Sequence, residues 1–263
     1  MARPVIALLT DFGTRDHYVG AMKGVALGIC PDAVFVDITH DIAPHDVLAA
    51  ALELAASYRY FPAGTIFVVV VDPGVGSGRR AIAAEGGGCR FVAPDNGVLT
   101  IVFRERPPKR VVELTERRYA RPTVSRTFEG RDRFAPAAAW LAKGIDLSGL
   151  GRALTSWHTL AVPEPALAED RIVGEVLRID RFGNLVTNVE RRIFERFAGG
   201  GRIDIVAGTE TVGKIVATYA DAEPGAICAL FGSSEHLEVA VNGGSAARRL
   251  DLARGARITI SRA

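Results

Sequence analysis

The chain is 263 residues long, 48% hydrophobic and 24% charged, a mix that can bury a real core in one large domain or two modest ones. Its 32 basic and 30 acidic residues leave a formal charge of +2, which gives no case for a nucleic-acid footprint. Cys30, Cys89 and Cys228 are far apart, odd in number and without CxxC spacing, which argues against a disulfide framework or a structural zinc site.

In chain order, Val5 to Leu9 is a continuous apolar run, too short for a signal-peptide core or a membrane span. With the cysteine pattern, it makes a cytoplasmic location the expectation. A Gly-bearing loop leads to a helical pattern from Tyr18 to Ile29. Val34 to Val36 is a second strand-like run, and Asp46 to Tyr58 reads as a helix with Asp46 as N-cap. Ile66 to Val71 is a third run, dense in β-branched residues, and Arg90 to Ala93 a fourth; a further helix is predicted over Phe134 to Ala142. Strands without polar alternation, separated by helices, predict an α/β fold with a mostly parallel sheet covered on both faces, over residues 1–162. Val162 to Asp170 has two prolines and no periodicity and reads as a linker. Beyond it come short strands: Ile172 to Ile179, Leu185 to Asn188, Ile203 to Ala207, Ile227 to Phe231, Leu237 to Val241 and Arg257 to Ile260. They predict a smaller all-β barrel over residues 171–263.

Each apolar run of the first part ends in an aspartate: Asp11, Asp37, Asp72 and Asp95. In an open α/β sheet ligands bind beyond the carboxyl ends of the strands, so acids on that rim suit a ligand with hydroxyls to grip, a cation or a metal. Aspartate also ends strands simply because it favours turns and caps, which is the reading kept for Asp37 and Asp95. Asp72 opens the run Asp72-Pro73-Gly74-Val75-Gly76-Ser77-Gly78-Arg79-Arg80, whose glycines let the backbone approach a ligand or take positive φ. It is neither a Walker loop nor a dinucleotide fingerprint; what sets it apart is the arginine seven residues after the aspartate. His40-Asp41 and His45-Asp46 lie in irregular loop and read as exposed polar residues near a pocket, so no metal site is expected.

Seven blocks in order carry a resemblance: LLTDFGTRDHYVGAMKG, VDITHDIAPHDV, VVDPGVGSGRR, APDNGVLT, TFEGRDRFAPAAA, DRFGNLVTN and SSEHLEVAVNGGSAA. Together they resemble the S-adenosylmethionine hydrolase (hydroxide adenosyltransferase) family, relatives of the fluorinases and chlorinases. The resemblance implies an N-terminal α/β domain, a C-terminal β-barrel and a homotrimer with ligand at subunit interfaces. It implies that Asp11 grips the ribose hydroxyls, as a carboxylate acceptor can, that Asp180 pairs with the methionine ammonium, that Asn184 reads the adenine edge and that Tyr219 stacks on it. Ser233 and Ser234 match the pair around the methionine carboxylate, Glu238 and Val241 the strand lining the adenine pocket, and Phe128 joins the substrate-binding set. Asp72 and Arg79 match two of the hydrolases' Asp-Arg-His set around the attacking water; Glu129 stands where the histidine is usual, which leaves open how that water is oriented.

The implied reaction is hydrolysis of S-adenosylmethionine at ribose C5′ to adenosine and methionine, with no cofactor. The leaving group is a neutral thioether, so the nucleophile needs only to be held opposite sulfur, about 3 Å from C5′, and relieved of a proton. Asp72 is the candidate base, Arg79 orients it and Glu129 is a second acceptor; two carboxylates sharing one water should raise one pKa. Two alternatives stand beside this reading. Without the histidine, the protein could be a non-catalytic S-adenosylmethionine or adenosine sensor. A halide-using adenosyltransferase is disfavoured, because carboxylates repel halide, Gly130 replaces a serine that helps hold fluoride, and only a short Ala84 to Arg90 connection stands where fluorinases carry an insertion.

Overall fold

Runs that are apolar on both faces build the first sheet. In β1 (Val5–Thr10), Ile6 and Leu8 enter one core layer while Ala7 and Leu9 enter the other, the double burial expected of a strand covered on both faces. The computed structural model describes residues 2–262, in two compact units, Met1–Ala161 and Val162–Ala263. After α1 (Tyr18–Ile29), β2 (Val34–Thr39) pairs parallel with β1; after α2 (Val47–Ser57), β3 (Ile66–Val70) pairs parallel on the other side. Asp46 caps α2 as predicted, its carboxylate accepting the Ala49 N–H at 2.9 Å.

β4 (Ala81–Gly86) and β5 (Cys89–Pro94) form a hairpin, with β5 parallel to β3. Then follow α3 (Thr100–Glu105), β6 (Arg110–Leu114), a wide π turn over Gly130–Phe134, α4 (Ala135–Ala142) and β7 (Gly151–Ala153). The seven strands run β2-β1-β3-β5-β4-β6-β7, parallel through the first four and antiparallel beyond. The sheet is therefore mixed, where a mostly parallel one is predicted. The cause lies at 84–90, which is no mere connection: the chain reverses at Gly87 and Gly88 in too few residues for a crossover, so β4 can only pair antiparallel. α1 and α4 contribute to the core layer on one face, α2 and α3 to that on the other.

β1 and β3 are neighbours in register, Thr10 opposite Val70. Asp11 and Asp72 thus leave the same carboxyl rim from adjacent strands, spaced about 5 Å apart. Asp37 does not share that position. β2 continues to Thr39, so Asp37 lies within this edge strand.

The second unit is an eight-stranded antiparallel sheet that is nearly barrel-shaped. Its strands are β8 (Ala166–Leu167), β9 (Arg171–Ile179), β10 (Leu185–Glu190), β11 (Ile203–Ala207), β12 (Glu210–Val212), β13 (Ile227–Phe231), β14 (His236–Val241) and β15 (Arg257–Arg262). The order is β12-β11-β15-β9-β10-β14-β13, with β8 on β9, and a bridge from Ile215 to Ala229 brings the far end back towards β13. Period-two residues such as Leu237, Val239 and Val241 fill the interior with Ile258 and Ile260. Two departures from prediction appear. The proline-bearing linker contains β8, and the unit is not all-β, since it carries α5 (Arg191–Ala198) and α6 (Ala246–Leu250). No helix among the described residues is long and apolar enough to cross a membrane.

Candidate active site

In the first unit Asp72, Arg79 and Glu129 meet. Arg79 Nε lies 3.0 and 2.9 Å from the two Asp72 carboxylate oxygens, and Nη2 bonds Asp72 Oδ2 as well. The same Nη2 stands 2.6 Å from Glu129 Oε2, and the Arg79 guanidinium lies over the Phe134 ring, 5.3 Å from its centroid. The side chains of Asp72, Arg79 and Glu129 are only 5%, 10% and 12% exposed, so these pairs act in a medium far less screening than water. Burial works against the Arg79 charge, but hydrogen bonds and charge from Asp72 and Glu129 outweigh it and raise its pKa further. Arg79 is thus a fixed cation between two carboxylates.

Local backbone explains the arrangement. The turn after β3 closes through Gly74 N–H to Asp72 Oδ1 at 3.2 Å and Ser77 N–H to Gly74 O at 3.1 Å. Gly76 takes φ +77° and lies so close to the Arg126 carbonyl that a Cβ there would stand 2.6 Å from it. This glycine serves the packing of the chain on itself. Glu129 is delivered by the start of the π turn, a wide winding frequent at functional sites. That turn also brings up Arg133, whose Nε lies 3.4 Å from Glu129 Oε1, a partner that the motif does not announce.

Asp11 stands at the end of β1, its Oδ2 accepting the His45 N–H at 2.9 Å. His45 holds a left-handed backbone, φ 68°, unusual for a non-glycine residue. Phe128 is buried edge-on against Tyr18, ring centroids 5.1 Å apart, in a cluster with Phe12. His40 is not exposed as predicted. It is 5% exposed, with Nδ1 2.8 Å from Thr10 Oγ1 and Nε2 3.0 Å from Asp37 Oδ1. Asp95 belongs elsewhere: Arg80 Nε donates to it at 2.8 Å and the His158 N–H at 2.8 Å, beside an open cleft of about 520 Å³ that Arg79 also borders. No group of three or more metal-ligating side chains occurs among the described residues.

The second unit gathers a different set. Asp180 Oδ1 accepts the backbone N–H groups of Phe182 and Asn184, each at 2.9 Å, and Asn184 Nδ2 donates to Asp180 Oδ2 at 2.8 Å. Tyr219, 40% exposed, donates its hydroxyl to Glu238 Oε2 at 2.9 Å. Burial, helped by the Glu238 hydrogen bond, pushes the Tyr219 pKa up to about 12. Burial also raises Glu238, with the Asp180 charge adding to it and the Tyr219 hydrogen bond opposing it. Gly232 leaves room for the Glu238 carboxylate, which a Cβ at this position would push aside. Ser234 Oγ is buried without a hydrogen-bond partner, Ser233 is exposed beside it, and Val241 ends β14 at 8% exposure.

Against known proteins, residues 6–151 match the SAM hydroxide adenosyltransferase N-terminal domain and residues 174–259 its C-terminal domain. The chain belongs to this family. A (R)-S-adenosyl-L-methionine hydrolase of Thermus thermophilus is 40% identical to it, over 96% of this chain and 97% of that protein. A fluorinase of an Actinoplanes species is 30% identical over 99% and 98%. The crystal structure of an uncharacterized conserved protein from Thermotoga maritima superposes with a TM-score of 0.93 at 36% identity, covering 98% of this chain and all of that one.

Two contacts around the candidate residues of this adenosyltransferase were not foreseen from sequence. Arg133 sits four residues after Glu129, a helical spacing that offered a signal. His40 offered none, since its partner Thr10 is thirty residues away.

Proposed function

We propose that this adenosyltransferase hydrolyses S-adenosyl-L-methionine at ribose C5′, giving adenosine and L-methionine. The observation that carries the reading is the buried Asp72–Arg79–Glu129 string beside the Asp11 rim position. Arg79 keeps Asp72 and Glu129 from repelling each other outright, so both can face one water. Asp72, anchored through both oxygens, is the base that takes the proton; Glu129, whose Oε1 lies 3.4 Å from Arg133 Nε, is the second acceptor. A sulfonium loses a neutral thioether, so the reaction asks for no acid and no cofactor. Water is a poor nucleophile until a base relieves it, a gain of about 10²- to 10⁴-fold.

Ribose is held by Asp11, adenine by Asn184 and Tyr219 with the β14 strand, the ammonium by Asp180 and the methionine carboxylate by Ser233 and Ser234. Ser234 Oγ is the buried, unpartnered hydroxyl such a carboxylate would satisfy. The hydrolase relative's name specifies the (R) sulfonium, and we assign the same epimer here. We take residues 1–162 as an α/β sandwich domain and 171–263 as a β-barrel domain, joined in a cytoplasmic homotrimer with interfacial sites; sedimentation of the purified protein tests the trimer.

Halide is disfavoured as nucleophile by the two carboxylates that flank Arg79. The deciding assay supplies each sulfonium epimer, with and without chloride, and follows adenosine and methionine. Equal release of both, fastest from the (R) epimer and indifferent to chloride, is the expected result. Intact substrate after prolonged incubation would assign the protein as a sensor instead.

A further inference from the structure

Thr10, His40, Asp37 and Lys23 form one string under the rim of the first sheet. Thr10 Oγ1 lies 2.8 Å from His40 Nδ1, His40 Nε2 lies 3.0 Å from Asp37 Oδ1, and Lys23 Nζ lies 2.6 Å from Asp37 Oδ2. Nε2 stands at ion-pair distance from a carboxylate, which only accepts, though without an aligned hydrogen bond. The imidazole proton is assigned to Nε2, which leaves Nδ1 to accept from the Thr10 hydroxyl. Burial opposes the Asp37 charge, but Lys23 and His40 beside it outweigh it and hold its pKa low.

The string resembles a nucleophile, its base and an orienting acid. Burial excludes that use: Thr10 is 0% exposed, so no substrate can reach its hydroxyl. What the string does reach is the Asp11 loop. Thr10 Oγ1 accepts the Phe12 N–H at 3.2 Å, and the His40 carbonyl accepts the Gly13 N–H at 2.7 Å. Both residues that follow Asp11 are therefore tied to His40, one through its ring and one through its backbone. Five residues further on, the His45 N–H bonds the Asp11 carboxylate itself.

We propose that His40 is a positioning residue for nucleoside binding: the Thr10–His40–Asp37 relay fixes the loop that aims the Asp11 carboxylate at the ribose hydroxyls. The inference rests on the assignment of Asp11 to the ribose given above. A relay of this kind acts on ground-state and transition-state binding alike, so its loss raises KM and leaves kcat nearly unchanged.

Calorimetric titration of the intact protein with adenosine and with 2′-deoxyadenosine tests this, alongside steady-state kinetics on the sulfonium substrate. The variants are Asp11→Ala, His40→Leu, His40→Asn and Thr10→Val. Asp11→Ala should abolish the preference for adenosine over the deoxynucleoside. His40→Leu and Thr10→Val should weaken adenosine about tenfold and 2′-deoxyadenosine much less, with kcat within about threefold of wild type. His40→Asn returns an amide to the Nδ1 position and should restore most of the preference. Should His40→Leu fail to fold, the near-isosteric Thr10→Val decides alone. If Asp11→Ala loses the preference and the folded relay variants keep it, or weaken both nucleosides equally, this proposal alone is overturned. If Asp11→Ala keeps the preference, the ribose assignment falls and the relay's role falls with it.

Discussion

Asp72 and Glu129 in the first unit share an arginine, whereas Asp180 and Glu238 in the second are held by an amide, a phenol and backbone N–H groups. Neutral donors satisfy a carboxylate's lone pairs without cancelling its charge. A guanidinium does both. The first cluster is thereby a fixed, nearly balanced charge array suited to holding a small nucleophile. In the second, neutral donors leave the Asp180 charge uncancelled, which suits an incoming cation such as an ammonium. On the proposed reading one cluster serves chemistry and the other capture, and they should fail differently.

The largest effect is expected from the first. Asp72→Asn keeps the size and the contact with Arg79 but removes the base, so turnover should fall about 10- to 10⁴-fold while KM changes little. A rise in KM of that size with kcat unchanged would move Asp72 from chemistry to capture. Stability offers the next test. Asp132, fully buried in the π turn that delivers Glu129, accepts from Arg131 Nε at 2.7 Å, from Arg121 Nη1 at 3.1 Å and from the Ser125 N–H at 2.8 Å. Burial pushes its pKa up, but these donors and charges more than offset it and the pKa is lowered. Its contribution is fully present above the unfolded value of about 3.9 and is lost as pH falls through the folded value. Asp132→Asn should therefore destabilise the first unit by about 3 kcal/mol near neutrality, a deficit that narrows when denaturant melts are repeated at progressively lower pH.

A smaller effect belongs to capture. Asp180→Asn should weaken S-adenosylmethionine about tenfold to a hundredfold in calorimetric titration and adenosine hardly at all, since adenosine has no ammonium to pair. Equal weakening of both would place Asp180 with the adenine. The smallest concerns Glu238. Its pKa is raised, so the folded state favours the protonated form and loses stability as pH rises through the window above about 4.3. Glu238→Gln removes that penalty while still accepting from Tyr219. Its melting temperature should exceed wild type by a few degrees at most, and the gap should open between acid and neutral pH.

Much of this was legible because apolar runs write themselves plainly. β3 is five consecutive buried residues, and the Asp46 cap fell where side-chain chemistry puts it. β4 was hidden because Ala81 to Gly86 is mostly alanine and glycine, whose strand propensity is poor and which pair here for tertiary reasons. β2 was cut short because Asp37 interrupts it, although an edge strand with one lateral side open accommodates a charge. In the site, the family resemblance implied that Asp72 and Arg79 stand together around one water, and their side chains do meet. The Arg133 contact follows a four-residue spacing that did carry a signal, whereas the Thr10–His40 relay depends on strand register between segments thirty residues apart, which no local residue pattern encodes.

Hydrolysis in water enriched in oxygen-18 tests the central claim most directly. If a water held by Asp72 and Glu129 attacks C5′, mass spectrometry of the released adenosine will find the heavy isotope in its 5′-hydroxyl and none in methionine. Adenosine carrying only ordinary oxygen, or a 5′-halogenated nucleoside in its place when chloride is present, would contradict it.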